Sequence, residues 1–305
     1  MLLLAVVTLA AVGLLWWASV LHASAGKDFL NAIATGLLVS AAFGVAQSLL
    51  TGRVATEVLR SSIVGEVSRS LSTLNNTYYP TNEFEASVEP SVSFNQLLTA
   101  DLNESSVFWF RGVSARYTAV RLELNRNANV QANLILPDPA VATSIDGRVD
   151  YLYRQGVYPG KSVEEIRSTV SRDIRVGLVG LMEACRRCSS IQLILTPTPL
   201  LDRYEIFRNA IWVTMFSAKG TGLVFPRTLR FQENSVIYRM QEAECLQTRH
   251  HPGVRVLEIP RLSSDREFMD FYEVVTGARI SSQGMTELRE AYREFASGFR
   301  VKADL

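Results

Sequence analysis

Two apolar runs without a single charged side chain open this chain, and they limit what it can fold into more than any other feature. Residues 2–21 are mainly Leu, Val and Ala, with Trp16 and Trp17 near one end. Residues 29–50 are equally free of charge. A run of about 20 apolar residues matches the hydrocarbon thickness of a bilayer, and Trp favours its interfacial belt. The intervening segment, 22–28, is too short to form a domain. The pattern predicts a tight transmembrane hairpin over residues 1–52. Ala23, Ser24 and Ala25 have the small-residue pattern of a signal-peptidase site. No Lys or Arg precedes the apolar run, however, and the run is long for a signal peptide. Lys27 lies between the two runs, whereas Arg53, Arg60 and Arg69 follow the second. Lys and Arg concentrate on the cytoplasmic side. Both termini are therefore expected in the cytoplasm of an inner membrane.

The second run carries a pattern of its own. Ala32, Gly36, Ser40, Gly44 and Ser48 recur every four residues, forming a stripe of small side chains on one helix face. Such faces let helix backbones approach closely in lipid. The stripe predicts contact with the first helix or self-association into a homo-oligomer. Beyond it, 53–74 is expected to continue as helix, with Leu59, Ile63, Val67, Leu71 and Leu74 along one apolar line. This segment suits a coupling helix or a short coiled segment between protomers. Residues 81–90 are acidic and irregular, a linker. The expected organisation is a hairpin at 1–52, a coupling helix and linker at 53–90, and a soluble domain at 91–305.

The soluble part alternates between strand and helix patterns. Strands are expected at 107–110, 130–136, 191–195 and 254–259, a strand or hairpin arm at 204–216, and a short strand at 223–225. Helices are expected at 113–124, from the capping box Ser162–Glu165 to about Cys185, and at 235–248, 265–275 and 285–299. Residues 146–160 read as loop. The order predicts an α/β domain, a mostly parallel sheet flanked by helices.

Composition narrows the function classes. The formal net charge is +1, so no large basic field is available to grip nucleic acid without sequence preference. Cys185 and Cys188 form a C-x-x-C late in a helix, and Cys245 stands alone. With His250 and His251 the only His beyond the hairpin, no four-ligand zinc pattern results. The cysteines read as free thiols of a reducing compartment. No cofactor or metal spacing is present.

The strongest ligand signal is Arg111-Gly112-Val113-Ser114-Ala115-Arg116-Tyr117, where a strand turns into a helix. A glycine there lets backbone amides approach an anion at the helix start, at the carboxyl end of a strand. Arg111, Gly112, Ser114, Arg116 and Tyr117 are the candidate ligand-binding residues, with Arg121 adding charge nearby. Asp138, closing the next strand, is a candidate for a metal or a ribose hydroxyl, or a simple turn residue. The turn is neither a Walker A nor a G-x-G-x-x-G motif, and Arg116 replaces the second glycine of G-x-S-x-G. No catalytic residue is assigned.

The order of elements from 107 to 259 resembles the phospholipase D superfamily. The hydrophobic arm after Asp202-Arg203-Tyr204-Glu205 stands where that family carries H-x-K-x-x-x-x-D. Here Tyr204, Ile206 and Ile211 fall on the His, Lys and Asp places, so the resemblance implies a catalytically dead version that binds something phosphate-like. The layout of a two-helix hairpin with a modest cytosolic domain resembles membrane effectors of bacterial antiviral systems, of the retron and cyclic-oligonucleotide types. That resemblance implies abortive infection, with the bilayer as target and a nucleotide, nucleic acid or defence-system protein as partner. A membrane-tethered phosphodiesterase or hydrolase, or a membrane scaffold, is the alternative.

Overall fold

The computed structural model describes residues 2–20, 25–88, 91–215 and 225–304, with side chains described there except at 2–5, 25 and 48–62. The chain divides into two compact units, Met1–Thr73 and Leu74–Leu305.

Helix α1 (Leu2–Val20) and most of helix α2 (Ala25–Tyr78) belong to the first unit. Both are rich in Ala and Leu and free of Pro, which favours helix. Helix α2 runs unbroken for 54 residues, so the apolar run and the stretch 53–74 share one helix. Among the described residues, Gly26–Gln47 is long and apolar enough to cross a membrane, whereas Val6–Val20 is apolar but shorter. Ala11 and Ala18 on α1 and Ala34 and Ala41 on α2 are buried. The seven-residue spacing puts a buried alanine pair on one face of each helix. The candidate cleavage residues Ala23 and Ser24 lie outside the described residues.

The second unit holds, in chain order, β1 (Asn82–Phe84), α3 (Val92–Asn103), β2 (Val107–Arg111), α4 (Arg116–Leu124), β3 (Gln131–Pro137), α5 (Asp146–Arg154), α6 (Val163–Ala184), β4 (Ser190–Thr196), β5 (Arg203–Ile206), β6 (Ala210–Thr214), β7 (Thr228–Gln232), α7 (Val236–Thr248), β8 (Arg255–Glu258), α8 (Asp265–Thr276) and α9 (Ser282–Ala303). The strands form one mixed sheet in the order β1-β7-β6-β5-β2-β3-β4-β8.

The expectation of a mostly parallel sheet needs correction. Only β2–β3 and β3–β4 pair parallel; the other neighbours are antiparallel. A parallel pair needs a crossover of a dozen or more residues, and α4, α5 and α6 supply crossovers between β2 and β4. Beyond β4 the chain turns tightly: Phe207 to Asn209 alone join β5 to β6, which makes a hairpin. The segment 146–160, expected as loop, opens as helix α5. Residues 216–224, including most of the expected strand 223–225, lie outside the described residues.

The sheet is covered on both faces, which explains its near-continuous apolar strands. Phe108, Phe110, Leu134, Leu136, Leu193 and Leu195 pack in one core with residues of α4, α6 and α9. Trp109, Ile135 and Ile194 point the opposite way, into a core with Ile206, Ile211, Phe231 and, from α7, Tyr238 and Cys245. Alternate side chains thus feed two layers. Helix α6 opens with the Ser162–Glu165 capping box and packs against α4, α5 and α9. It comes so close to the start of α4 that a Cβ on Gly177 would stand 3.1 Å from the Ala115 and Arg116 nitrogens.

Candidate anion-binding groove

The strand-to-helix turn is real, but its residues diverge. Arg111, at the end of β2, donates from Nε to Asp202 (2.9 Å) and from Nη1 to Glu244 (2.8 Å). Burial works against the Arg111 charge, and the Asp202 and Glu244 carboxylates more than offset this and raise its pKa. The Gly112 amide donates to the Ile135 carbonyl at 3.2 Å, so it does not face a ligand. A Cβ there would meet the Phe110 ring at 2.8 Å, which accounts for the glycine by packing. The Ser114 hydroxyl donates to the Asp173 carbonyl at 3.0 Å. Helix α4 starts after Ala115, with no side-chain cap.

Asp138 is buried and engaged as an acceptor. Its Oδ2 takes Arg255 Nε, and its Oδ1 takes Arg255 Nη2, each at 2.7 Å, while the Ala140 amide donates to Oδ1 at 2.9 Å. Tyr204 lies on β5, and Ile206 and Ile211 are cross-strand partners inside a core. No acid–base chemistry is available from the two isoleucines. His250 and His251 are exposed in the turn after α7.

Arg116 and Tyr117 are brought together, on the side of α6 and α9. Arg116 pairs with Asp173 on α6 at 2.7 Å, and its guanidinium lies 4.7 Å from the Phe295 ring centre. Tyr117 stands edge-on to Phe295 and Phe299, both at 4.9 Å. These residues border a groove of about 660 Å³, within the size range of small-molecule sites. Arg116, Lys161, Arg172 and Lys302 line it against Asp173 and Glu294, four cations less two anions, or +2 among the described lining residues. Burial lifts the Asp173 carboxyl above its ordinary value, against the pull of Arg116, Arg172 and Lys161. No described carboxylate lies within ion-pair distance of Lys161, Arg172 or Lys302. The groove thus offers cations at its rim and rings at its floor. That suits an anion carrying a flat or apolar part. Lys161, Arg172, Phe295, Phe299 and Lys302 escape sequence reasoning because they converge from α6 and α9. The one usable signal was the capping box, which fixes where α6 begins beside Lys161.

The membrane-side candidates lie on α2. Ala32, Gly36 and Ser40 are exposed and Gly44 is half-buried; the Ser48 side chain lies outside the described residues. A Cβ on Gly36 would meet nothing within 4 Å. At about 100° per residue, Ala32 and Gly36 fall on the face opposite the buried Ala34 and Ala41, and each further step of four turns the line by about 40°, so that Gly44 comes round toward the buried side. Further along, Val64, Val67, Leu71, Leu74 and Tyr78 are all exposed. Their 3-4-3-4 spacing is that of a coiled-coil seam. Ser68, Ser70, Asn75 and Thr77 flank the seam without charge, and Glu66 and Arg69 pair with each other at 3.0 Å on the outer side.

No family model matches the chain, and no curated protein matches it. Among solved structures, one described as "Structure of TrmBL2, an archaeal chromatin protein, shows a novel mode of DNA binding" aligns with 72% of this chain and 69% of its own. The TM-score is 0.31 and the identity 4%, too low a likeness to carry fold or function.

Proposed function

We propose that this chain is a membrane-anchored, self-associating effector whose α/β unit lies in the cytoplasm and takes an anionic trigger in the Arg116–Tyr117 groove. Both apolar helices cross the inner membrane as a hairpin in this reading. The 19 residues of α1 span roughly 28 Å at 1.5 Å per residue, close to the thickness of a hydrocarbon core. The supporting observation is the division of faces on α2. The first part of its small-residue stripe, Ala32 and Gly36, points away from the buried Ala34 and Ala41, and an exposed seam follows on the same helix. From Gln47 to Tyr78 the helix continues for roughly 46 Å at that rise, a stalk on which copies can pair. Trigger binding shifts the pairing, and the hairpins disturb the bilayer. The layout resembles bacterial antiviral effectors, so abortive infection is the setting to test.

The experiment is inducible expression with a membrane-potential dye. The wild type is expected to depolarise cells, and Gly36→Leu with Gly44→Leu to abolish this while the protein still fractionates with membranes. Depolarisation equal to wild type in the double variant overturns the role of the stripe. A protein that leaves the membrane fraction intact in alkaline carbonate overturns the anchor itself.

A further inference from the structure

Behind the Tyr117–Phe225 wall of the groove lies a second, smaller cavity with a different character. Phe84, Phe94, Tyr117 and Phe225 form its apolar sides, and Arg121 from α4 and Arg203 from β5 reach into its lining. Its interior of about 30 Å³ has room for about two waters.

The charges around it do not balance. Arg121 is buried to 5% exposure and Glu205 to 3%. Glu205 pairs closely with Arg203 through Oε1, and the same oxygen stands 4.0 Å from Arg121 Nη1. One carboxylate therefore faces two guanidinium groups. Arg121 Nη2 donates to Asn95 Oδ1 at 2.9 Å. Arg121 Nε and Nη1, Arg203 Nε and Glu205 Oε2 have no hydrogen-bond partner among the described residues. The rim carboxylate Glu85 is exposed and leans toward Arg227 at 3.9 Å. Nearby Asp101 is taken by Arg230 and the Trp212 indole, so it does not neutralise Arg121. A buried cation with open donors is costly unless something pairs it. Burial brings the Arg121 pKa down to about 10, with Glu205 only partly opposing.

We propose that this cavity is an oxyanion subsite, in which Arg121 and Arg203 grip the carboxylate or phosphoryl group of a small ligand. An oxyanion supplies both the missing charge and several acceptor oxygens for the open N–H groups of Arg121 and Arg203, which a spherical anion does not. The subsite stands independently of the membrane reading, because its residues lie wholly in the α/β unit.

The full-length protein in nanodiscs is titrated with sodium sulfate, phosphate and acetate at constant ionic strength, with chloride as reference. Thermal unfolding and tryptophan emission are followed, since Trp212 stacks on the cavity residue Phe84 at 5.5 Å. A saturable response to at least one oxyanion is expected. Arg121→Gln is expected to weaken it at least about tenfold, the equivalent of one charge-assisted hydrogen bond. Arg279→Gln, a distant surface change, leaves it intact. Response to sulfate and phosphate alone assigns a phosphoryl ligand, and response to acetate alone a carboxylate. If Arg121→Gln does not fold, the more exposed Arg203→Gln carries the same expectation. The proposal is overturned if chloride acts equally, if no anion saturates, or if Arg121→Gln and Arg203→Gln respond as wild type. Loss on Arg116→Gln with retention in Arg121→Gln moves the anion to the outer groove and overturns it as well.

Discussion

Asp138 separates a structural role from a ligand role, and removing it tests which is right. The carboxylate sits just past β3, and Arg255 grips it with two bonds of 2.7 Å. The same guanidinium donates to the Val274 and Val275 carbonyls at 3.1 and 2.6 Å. These carbonyls lie in the last turn of α8, where helix acceptors lack intrahelical partners. Arg255 thus ties the end of β3, strand β8 and the end of α8 together. Its hydrogen bonds to Asp138 raise its pKa against the effect of burial. Two charge-assisted bonds are worth about 3 kcal/mol or more when buried. Asp138 is 3% exposed at the side chain but Arg255 is 36% exposed, so solvent screening reduces the expected loss for Asp138→Ala to about 2 kcal/mol. In a unit of this size that is about 4–8 °C in Tm. Asp138→Asn keeps an acceptor for Ala140 and is expected to cost about half as much. The assay is thermal unfolding of the full-length protein in nanodiscs, as a double-mutant cycle with Arg255→Met. A coupling of about 1–2 kcal/mol is expected. A coupling below about 0.5 kcal/mol, the level of an ordinary surface pair, refutes the clamp.

Three further outcomes follow from the packing and charge pattern. Gly180→Ala drives a Cβ into the buried Tyr292 ring, so overpacking of about 1–3 kcal/mol should outweigh the helix-propensity gain of about 1 kcal/mol; an unchanged Tm refutes the close α6–α9 contact. Burial lifts Cys188 and Cys245 to about 12 and raises Cys185 as well, so iodoacetamide at about pH 8 should modify the native protein far more slowly than the urea-unfolded chain. Equal rates would contradict the buried thiols. The raised pKa of Asp173 means that the folded state holds this proton more tightly. Its contribution to stability is complete below the unfolded value and is lost as pH rises through the folded value. As pH rises from the ordinary carboxylate value of about 4, the wild type should therefore lose more stability than Asp173→Asn, and parallel curves would contradict the shift.

The elements written in local pattern were legible in the sequence. The strands 130–136 and 191–195 match β3 and β4 to within a residue, and the Ser162–Glu165 capping box marks the start of α6. Pairing direction was not local information. The β-α-β order at 107–196 does yield two parallel pairs, but the three-residue turn at 207–209 and the return of β7 make β5–β6 and β6–β7 antiparallel, and β2–β5, β4–β8 and β1–β7 are antiparallel as well. Strand β7 and helix α3 escaped notice because β7 is broken by Arg230 and α3 is short and polar on one side. The candidate site shows the same limit. Sequence located Arg116, Tyr117 and Arg121 but grouped them with Arg111 and Gly112, which lie in the same turn. In the fold, Arg111 goes to Asp202 and Glu244, and Gly112 packs on Phe110. The true neighbours of Arg116 and Tyr117 come from α6 and α9, which no spacing rule connects to them.

The choice of contact line on α2 depends on the difference between a period of 4 and one of 3.5. The sequence suggested Leu59, Ile63, Val67, Leu71 and Leu74, mostly four apart. At 3.6 residues per turn each step of four advances the line by about 40°, so it winds around the helix and cannot face one partner for long. Val64, Val67, Leu71, Leu74 and Tyr78 alternate three and four, and they hold to one side with slight supercoiling. A cysteine scan over 63–78 in membranes distinguishes the two lines. The native thiols are buried and contribute little background. Oxidative crosslinking of full-length chains is expected to peak at 64, 67, 71, 74 and 78 and to fall at the Glu66 and Arg69 positions, which face outward. Peaks at 63, 67 and 71 with none at 64 or 78 favour the winding line, and a flat profile removes the seam from any pairing of copies. Two heptads alone make a marginal coiled coil in water. Anchoring raises the effective concentration of the partners, so detergent dilution should weaken the crosslinks at every peak together.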